Sequence, residues 1–248
     1  MTYCLAISVN EGLVFCSDTR TNAGPDMLSS YSKMHIFRPD PDRKFCVLSA
    51  GNLATTQAIV NQLEVDLEQT ERNNLLSFDR IHDVAAYVTE VSRNAQMDAQ
   101  AKVGAVGIDA SASLLFGGQM RGGKQEIYLI YSAGNFIAAS IDTPFLQIGE
   151  SKYGKPILDR VVRKNTPLED AARCALVSMD STIKSNATVG PPIEVLICEF
   201  ANFDSDHYVK LDTDDAYLVS LRNIWDSKLK EAFASLPKFD WEQHLIGE

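Results

Sequence analysis

The apolar positions of this chain fall into short strand-length runs separated by stretches with a helical period. Residues 3–9 (YCLAISV), 13–17 (LVFCS) and 44–50 (KFCVLSA) are nearly continuous apolar runs rich in Val, Phe and Cys, the pattern of buried strands. Asn10-Glu11-Gly12 separates the first two and predicts a tight hairpin. Residues 34–38 predict a further strand ahead of a turn at Pro39-Asp40-Pro41-Asp42. From Leu53 the period changes: Ile59, Leu63 and Leu67 recur every fourth residue and mark one helix face. Ser77 is placed to cap a second helix with an inner face of Ile81, Val84, Ala85, Val88 and Val91. Alternation returns over 113–119, 126–132 and 136–141, followed by helical patterns near 152–163 and 167–184. Thr166-Pro167-Leu168-Glu169 supplies a cap, a first-turn proline and an early acid for the latter. Strands at 193–200 and 207–213 and a helix near 214–235, capped by Asp214-Asp215, complete the chain.

Strands in runs, with helices paired between them, predict an α+β architecture rather than alternating parallel units. Two antiparallel sheets stacked face to face, with helix pairs on their outer faces, would bury every apolar face. No Pro/Gly/Ser-rich linker breaks the middle, so residues 1–248 are expected to be one domain ending in a C-terminal helix and tail, 214–248.

Composition narrows the class. The 248 residues are 45% hydrophobic and 23% charged, an ordinary globular balance. The net charge of −10 argues against sequence-independent binding to nucleic acid, which needs clustered Lys and Arg. Cys4, Cys16, Cys46, Cys174 and Cys198 are odd in number, mostly within apolar runs and without a CxxC pair, and are expected to be reduced. No apolar run approaches the roughly 18 residues of a membrane span. No signal peptide is visible, so a cytoplasmic location is expected. His35, His82, His207 and His244 have no ligand spacing, and neither metal nor cofactor is expected.

The chemistry suggested by the sequence begins at Met1-Thr2-Tyr3. Removal of Met1 would leave Thr2 with a free α-amine, so that one residue carries both a hydroxyl nucleophile and its base. An α-amine has an unperturbed pKa of about 7.7–8.0, well suited to that task. The strand at 13–17 runs into Ser17-Asp18-Thr19-Arg20, and Lys33 stands just before the next strand, where it can return to the same strand ends. A buried Lys there would favour the neutral amine and lower the hydroxyl pKa, and Asp18 would hold it by a charge-assisted hydrogen bond.

Together, Thr2, Ser17-Asp18-Thr19-Arg20, Lys33 and Ser49-Ala50-Gly51-Asn52-Leu53-Ala54 resemble the proteasome-type family of N-terminal-nucleophile (Ntn) hydrolases. The Met-Thr-Tyr-Cys opening and the run Ser-Asp-Thr-Arg-Thr-Asn-Ala-Gly are most similar to its bacterial Anbu (ancestral beta-subunit) branch. The resemblance implies a four-layer αββα sandwich and a threonine-type peptidase acting within a homo-oligomer, a ring or ring-like spiral. It assigns Thr2 as nucleophile and base, Lys33 as its electrostatic activator, Asp18 as the anchor of Lys33, and the Gly51 N–H as an oxyanion donor. Asn22, Ser49 and Leu53 are the corresponding candidates for substrate binding, with a peptide or unfolded protein as substrate; an unfoldase partner stays open.

The supporting residues match less closely. Gly149-Glu150-Ser151 stands where the family has Gly-Ser-Gly, so Ser151 is a candidate replacement hydroxyl. Arg20, Asp180, Ser181, Ser185 and Asn186 are further supporting candidates; the last four are read as lying at a helix end. Two other readings stay open on sequence alone. One is a catalytically silent structural or peptide-binding subunit, and the other an Ntn amidohydrolase acting on small amides.

Overall fold

The computed structural model describes residues 1–22, 28–69 and 71–243. The hairpin predicted at the start is present as β1 (Tyr3–Val9) and β2 (Gly12–Asp18). A small two-stranded ribbon follows, β3 (Arg20–Asn22) and β4 (Leu28–Ser30), and then β5 (Met34–Asp40) and β6 (Arg43–Gly51). The helices α1 (Leu53–Glu68) and α2 (Ile81–Val103) lead to β7 (Ala112–Met120), β8 (Glu126–Ile130), β9 (Phe136–Ala138) and β10 (Phe145–Gly149). Next come α3 (Lys155–Val161), α4 (Leu168–Ser185), β11 (Ile193–Glu199) and β12 (His207–Leu211).

Two five-stranded antiparallel sheets result, in the orders β10-β1-β2-β11-β12 and β5-β6-β7-β8-β9. Strand alternation sends Cys4, Ala6, Leu13 and Phe15 of the first sheet against Cys46, Leu48, Ala50 and Leu115 of the second, forming the inner core. The opposite face of the second sheet carries Phe45, Val47, Leu114 and Phe116 and is covered by Ile59 and Leu63 of α1 and Val84, Val88 and Val91 of α2. On the far side, α4 packs on β1 and β2 and α3 on α4. The four-layer αββα sandwich is therefore present, and β1, β2, β6 and β7 at its centre are buried along almost their whole length.

Two local expectations are corrected and one strand is added. Helix α2 starts at Ile81 behind Arg80, not behind Ser77. The Ser77 hydroxyl instead accepts the Asn74 N–H at 2.9 Å and closes a local turn. Likewise Thr166 does not cap α4: its hydroxyl accepts the Arg163 N–H, and the first free amide of α4, Leu168 N–H, goes to the Glu11 carboxylate at 2.8 Å. An acid from the β1–β2 turn thus supplies the favourable negative charge at this helix start. Strand β10, which the sequence pattern did not suggest, pairs with β1 and places Gly149 opposite Tyr3.

Residues Met1–Asp212 form one compact unit and Thr213–Glu248 a second. The second holds α5 (Ala216–Ala234), capped by the Asp215 carboxylate on the Tyr217 and Leu218 amides, and the short α6 (Asp240–Gln243). No helix among the described residues is long and apolar enough to cross a membrane.

Candidate active site

The ends of β1, β2, β5 and β6 converge near Thr2. Asp18, the last residue of β2, has no solvent exposure. Its Oδ1 accepts the Tyr3 N–H at 3.0 Å and Lys33 Nζ at 2.6 Å, and its Oδ2 accepts the Gly190 N–H at 3.3 Å. Burial raises the Asp18 carboxyl above its usual value; the Lys33 charge and these hydrogen bonds pull the other way without overcoming it. The buried Lys33 ammonium also donates to Arg20 O at 2.8 Å. Lys33 and Asp18 are thus in direct contact, and the pair sits one residue from Thr2 through the Tyr3 amide.

Thr2 is half-buried, and its nitrogen is joined to Met1 by a peptide bond in this chain. Its carbonyl accepts the Glu150 N–H at 2.7 Å. Gly149 makes that approach possible: its φ is +78°, and a Cβ there would stand 1.9 Å from Thr2 O. The Tyr3 side chain fixes the next residue, with its hydroxyl 2.7 Å from Ser178 Oγ and hydrogen-bonded by Gln147 Nε2. Cys4 is nearby, but burial pushes its thiol well above the ordinary value, against the pull of Lys33. That makes it a poor rival nucleophile.

Gly51 ends β6 with φ +121°, and a Cβ there would come 2.4 Å from Ser111 O. Strand alternation sends the N–H groups of Ser49 and Gly51 to the same edge. There the Ser49 N–H meets Lys33 O at 3.0 Å, so the Gly51 amide lies beyond the start of β5 on the edge that carries Lys33. Asn52 then caps α1 by accepting the Thr55 N–H. Ser49 is buried and Leu53, the first residue of α1, is half-buried. The backbone of Asn22 pairs with Leu28 in β3–β4; its side chain and the Gly24-Pro25 loop lie outside the described residues, as does His244.

The supporting candidates divide. Arg20 joins the site twice, through its carbonyl to Lys33 and through Nη1 to Ala187 O at 2.7 Å. Ser151 follows Glu150, and its N–H bonds Gly149 O. Asp180, 1% exposed, lies in the C-terminal part of α4, which ends at Ser185, with Lys184 Nζ 3.8 Å away. Ser185 is the exposed last residue of α4.

The supporting candidate Asn186 follows α4, and its Nδ2 reaches the buried Glu150 carboxylate at 3.2 Å; sequence reasoning missed Gly190, whose amide completes the cradle of Asp18. The glycine closing the Phe-Leu-Gln-Ile run at 145–148 was the available signal for β10 and its turn. Among the described residues, no group of three or more His, Cys, Asp or Glu could hold a metal ion.

A sandwich of two antiparallel sheets with a buried Asp–Lys pair beside the second residue is the architecture of a proteasome-type subunit. The family model described as "Proteasome subunit" matches residues 2–198, and the chain belongs to that family. Its nearer likeness is to Anbu, the ancestral beta-subunit. The Yersinia bercovieri Anbu structure is 41% identical with a TM-score of 0.89, over 96% of this chain and 99% of that one. The helical assembly of the Anbu complex from Pseudomonas aeruginosa is 42% identical with a TM-score of 0.89, over 96% and 98%. A proteasome subunit beta 2 from Nitrosopumilus maritimus is 24% identical over 205 residues, 82% of this chain and 88% of that protein.

Proposed function

We propose that this protein is a threonine-type peptidase whose nucleophile is the Thr2 hydroxyl, exposed for catalysis by removal of Met1. The observation that carries the reading is the buried Lys33–Asp18 pair at 2.6 Å, whose carboxylate also takes the Tyr3 amide. An ammonium has three N–H donors, and Asp18 and Arg20 O occupy two of them. The third is available to the Thr2 hydroxyl, where a positive charge favours the alkoxide and the neutral α-amine.

In the proposed cycle Thr2 Oγ attacks the peptide carbonyl and its proton passes to the α-amine of the same residue. The oxyanion is held by the Gly51 N–H, a type of contact worth about 10²–10³ in rate. The C–N bond then breaks, and the proton leaves with the departing amine. Water, deprotonated by the α-amine, hydrolyses the Thr2 ester. Asp18 and Arg20 fix Lys33, while Ser49, Leu53 and Asn22 are the proposed contacts to an extended peptide. Asp180 and Ser185 are the more distant supporting candidates, and Ser151 a candidate hydroxyl beside Glu150. Self-assembly is part of the proposal, supported by the helical assembly of the Pseudomonas relative.

Intact mass spectrometry with and without a peptide epoxyketone tests the reading. Loss of Met1 and one probe per chain are expected, with no labelling of Thr2→Ala. A chain that keeps Met1 and ignores the probe is instead a silent, shell-forming subunit. Turnover of small amides without peptide cleavage selects an amidohydrolase.

A further inference from the structure

A buried carboxylate that this chemistry leaves unused holds the segment carrying Lys33. Glu194, on β11, is 3% exposed and pairs across the sheet with Ser17 on β2. Ser32 Oγ lies 3.0 Å from its Oε1 and 2.9 Å from its Oε2, and Tyr208 Oη donates to Oε1 at 2.7 Å. Tyr208 belongs to β12, and burial followed by the Glu194 contact pushes its hydroxyl up to about 12. It therefore stays a donor to Glu194 across the neutral range. A buried carboxylate survives only when its lone pairs are met, and here two hydroxyls meet them.

Ser32 is the residue before Lys33. Its single hydroxyl proton goes to the charged acceptor, since charge-assisted bonds are the stronger ones. The same oxygen accepts the Met34 N–H at 3.2 Å, drawing the backbone on either side of Lys33 into a tight turn. Lys33 O meanwhile takes the Ser49 N–H at 3.0 Å, and the Tyr31 N–H bonds Thr19 O at 2.9 Å. The Lys33 backbone is thus tied to β6 through its own carbonyl and to β11 through its neighbour's hydroxyl. Only the side chain is left to reach Asp18.

We propose that Glu194 and Ser32 are a positioning pair for Lys33, with Tyr208 orienting the Glu194 carboxylate. The proposal rests on the threonine-peptidase reading: the pair touches no substrate and acts through the placement of the Lys33 ammonium. Its loss should slow the chemical step and leave substrate affinity alone, because a misplacement of about 1 Å can cost roughly 10²-fold.

The full chain is assayed as wild type, Ser32→Ala, Ser32→Thr and Glu194→Gln by the rate of epoxyketone inactivation. Ser32→Ala and Glu194→Gln should lower the maximal inactivation rate at least about tenfold with the half-saturating probe concentration unchanged. Ser32→Thr, which keeps the hydroxyl, should restore the rate. Hydrogen exchange at the Met34 and Ser49 amides should speed up in the two impaired variants and not in Ser32→Thr. With a wild type that labels, unchanged rates, a change confined to half-saturation, or unchanged exchange at both amides overturns the positioning pair alone. A wild type that never labels overturns the peptidase reading itself, and the proposed effect on rate with it.

Discussion

Lys33 Nζ and Asp18 Oδ1 lie 2.6 Å apart with almost no solvent, and that oxygen also receives the backbone N–H of the residue after Thr2. The contact therefore ties a charge to the position of the proposed nucleophile. Removing one member leaves the other buried without its counter-charge, which for buried pairs costs about 3–5 kcal/mol. Asp18→Asn and Lys33→Met should each lower stability by about that amount in urea denaturation. The double variant should be less destabilised than their sum by about 0.5–3 kcal/mol. Additive costs would show that the two groups do not act as a pair.

Gly149→Ala tests the other clasp on Thr2. The left-handed backbone at φ +78° penalises any L side chain by about 1–2 kcal/mol. The added methyl would also meet Thr2 O, which cannot retreat without giving up the Glu150 N–H at 2.7 Å. The expected result is a drop in melting temperature together with loss of probe labelling at Thr2. A variant with full labelling would remove Gly149 from the machinery that places the nucleophile.

How much of this could be read from the residues depends on the range of the contacts. The hairpin at Asn10-Glu11-Gly12 and the helix face of Ile81, Val84 and Val88 are local patterns, and both are present. Asp18 and Lys33 could be brought together because each sits at the end of a legible strand. Strand β10 is five residues long, and its register comes from β1, about 140 residues earlier, so no local period announces it. The start of α4 is met by Glu11 from another hairpin, a tertiary partner that outcompetes the local Thr166 signal. Glu194 read as one polar residue in an apolar strand; only the fold brings it to Ser32, 162 residues away in sequence.

Acid should weaken the connection between β12 and the second sheet. Burial acts to raise the Asp206 carboxyl, but hydrogen bonds from Lys44 and Arg38, with their charges, outweigh it and hold it below 3.8. A carboxyl lowered in the folded state stabilises above its unfolded pKa, and that contribution is lost as pH falls through the folded value. Wild type should therefore exceed Asp206→Asn in denaturant midpoint at neutral pH. The gap should close below a pH of about 4. A gap that stays constant down to acid would mean that the charge on Asp206 contributes nothing.

Tyr3→Phe separates anchoring of the chain start from the charge pair, since the Tyr3 amide to Asp18 is retained. The lost hydroxyl is buried between Ser178 Oγ and Gln147 Nε2, so two polar groups lose a partner, at a cost of about 1–3 kcal/mol. Gly154→Ala should act in the same direction, because its Cβ would come within 2.3 Å of both Tyr3 Oη and Ser178 Oγ. If the phenol holds Thr2 in line with Lys33, both variants slow labelling of Thr2 while the half-saturating probe concentration stays put. If it serves packing alone, melting temperature falls and the labelling rate of the folded fraction is unchanged. The ratio of the two effects therefore measures how far the placement of the nucleophile depends on the helix layer behind β1.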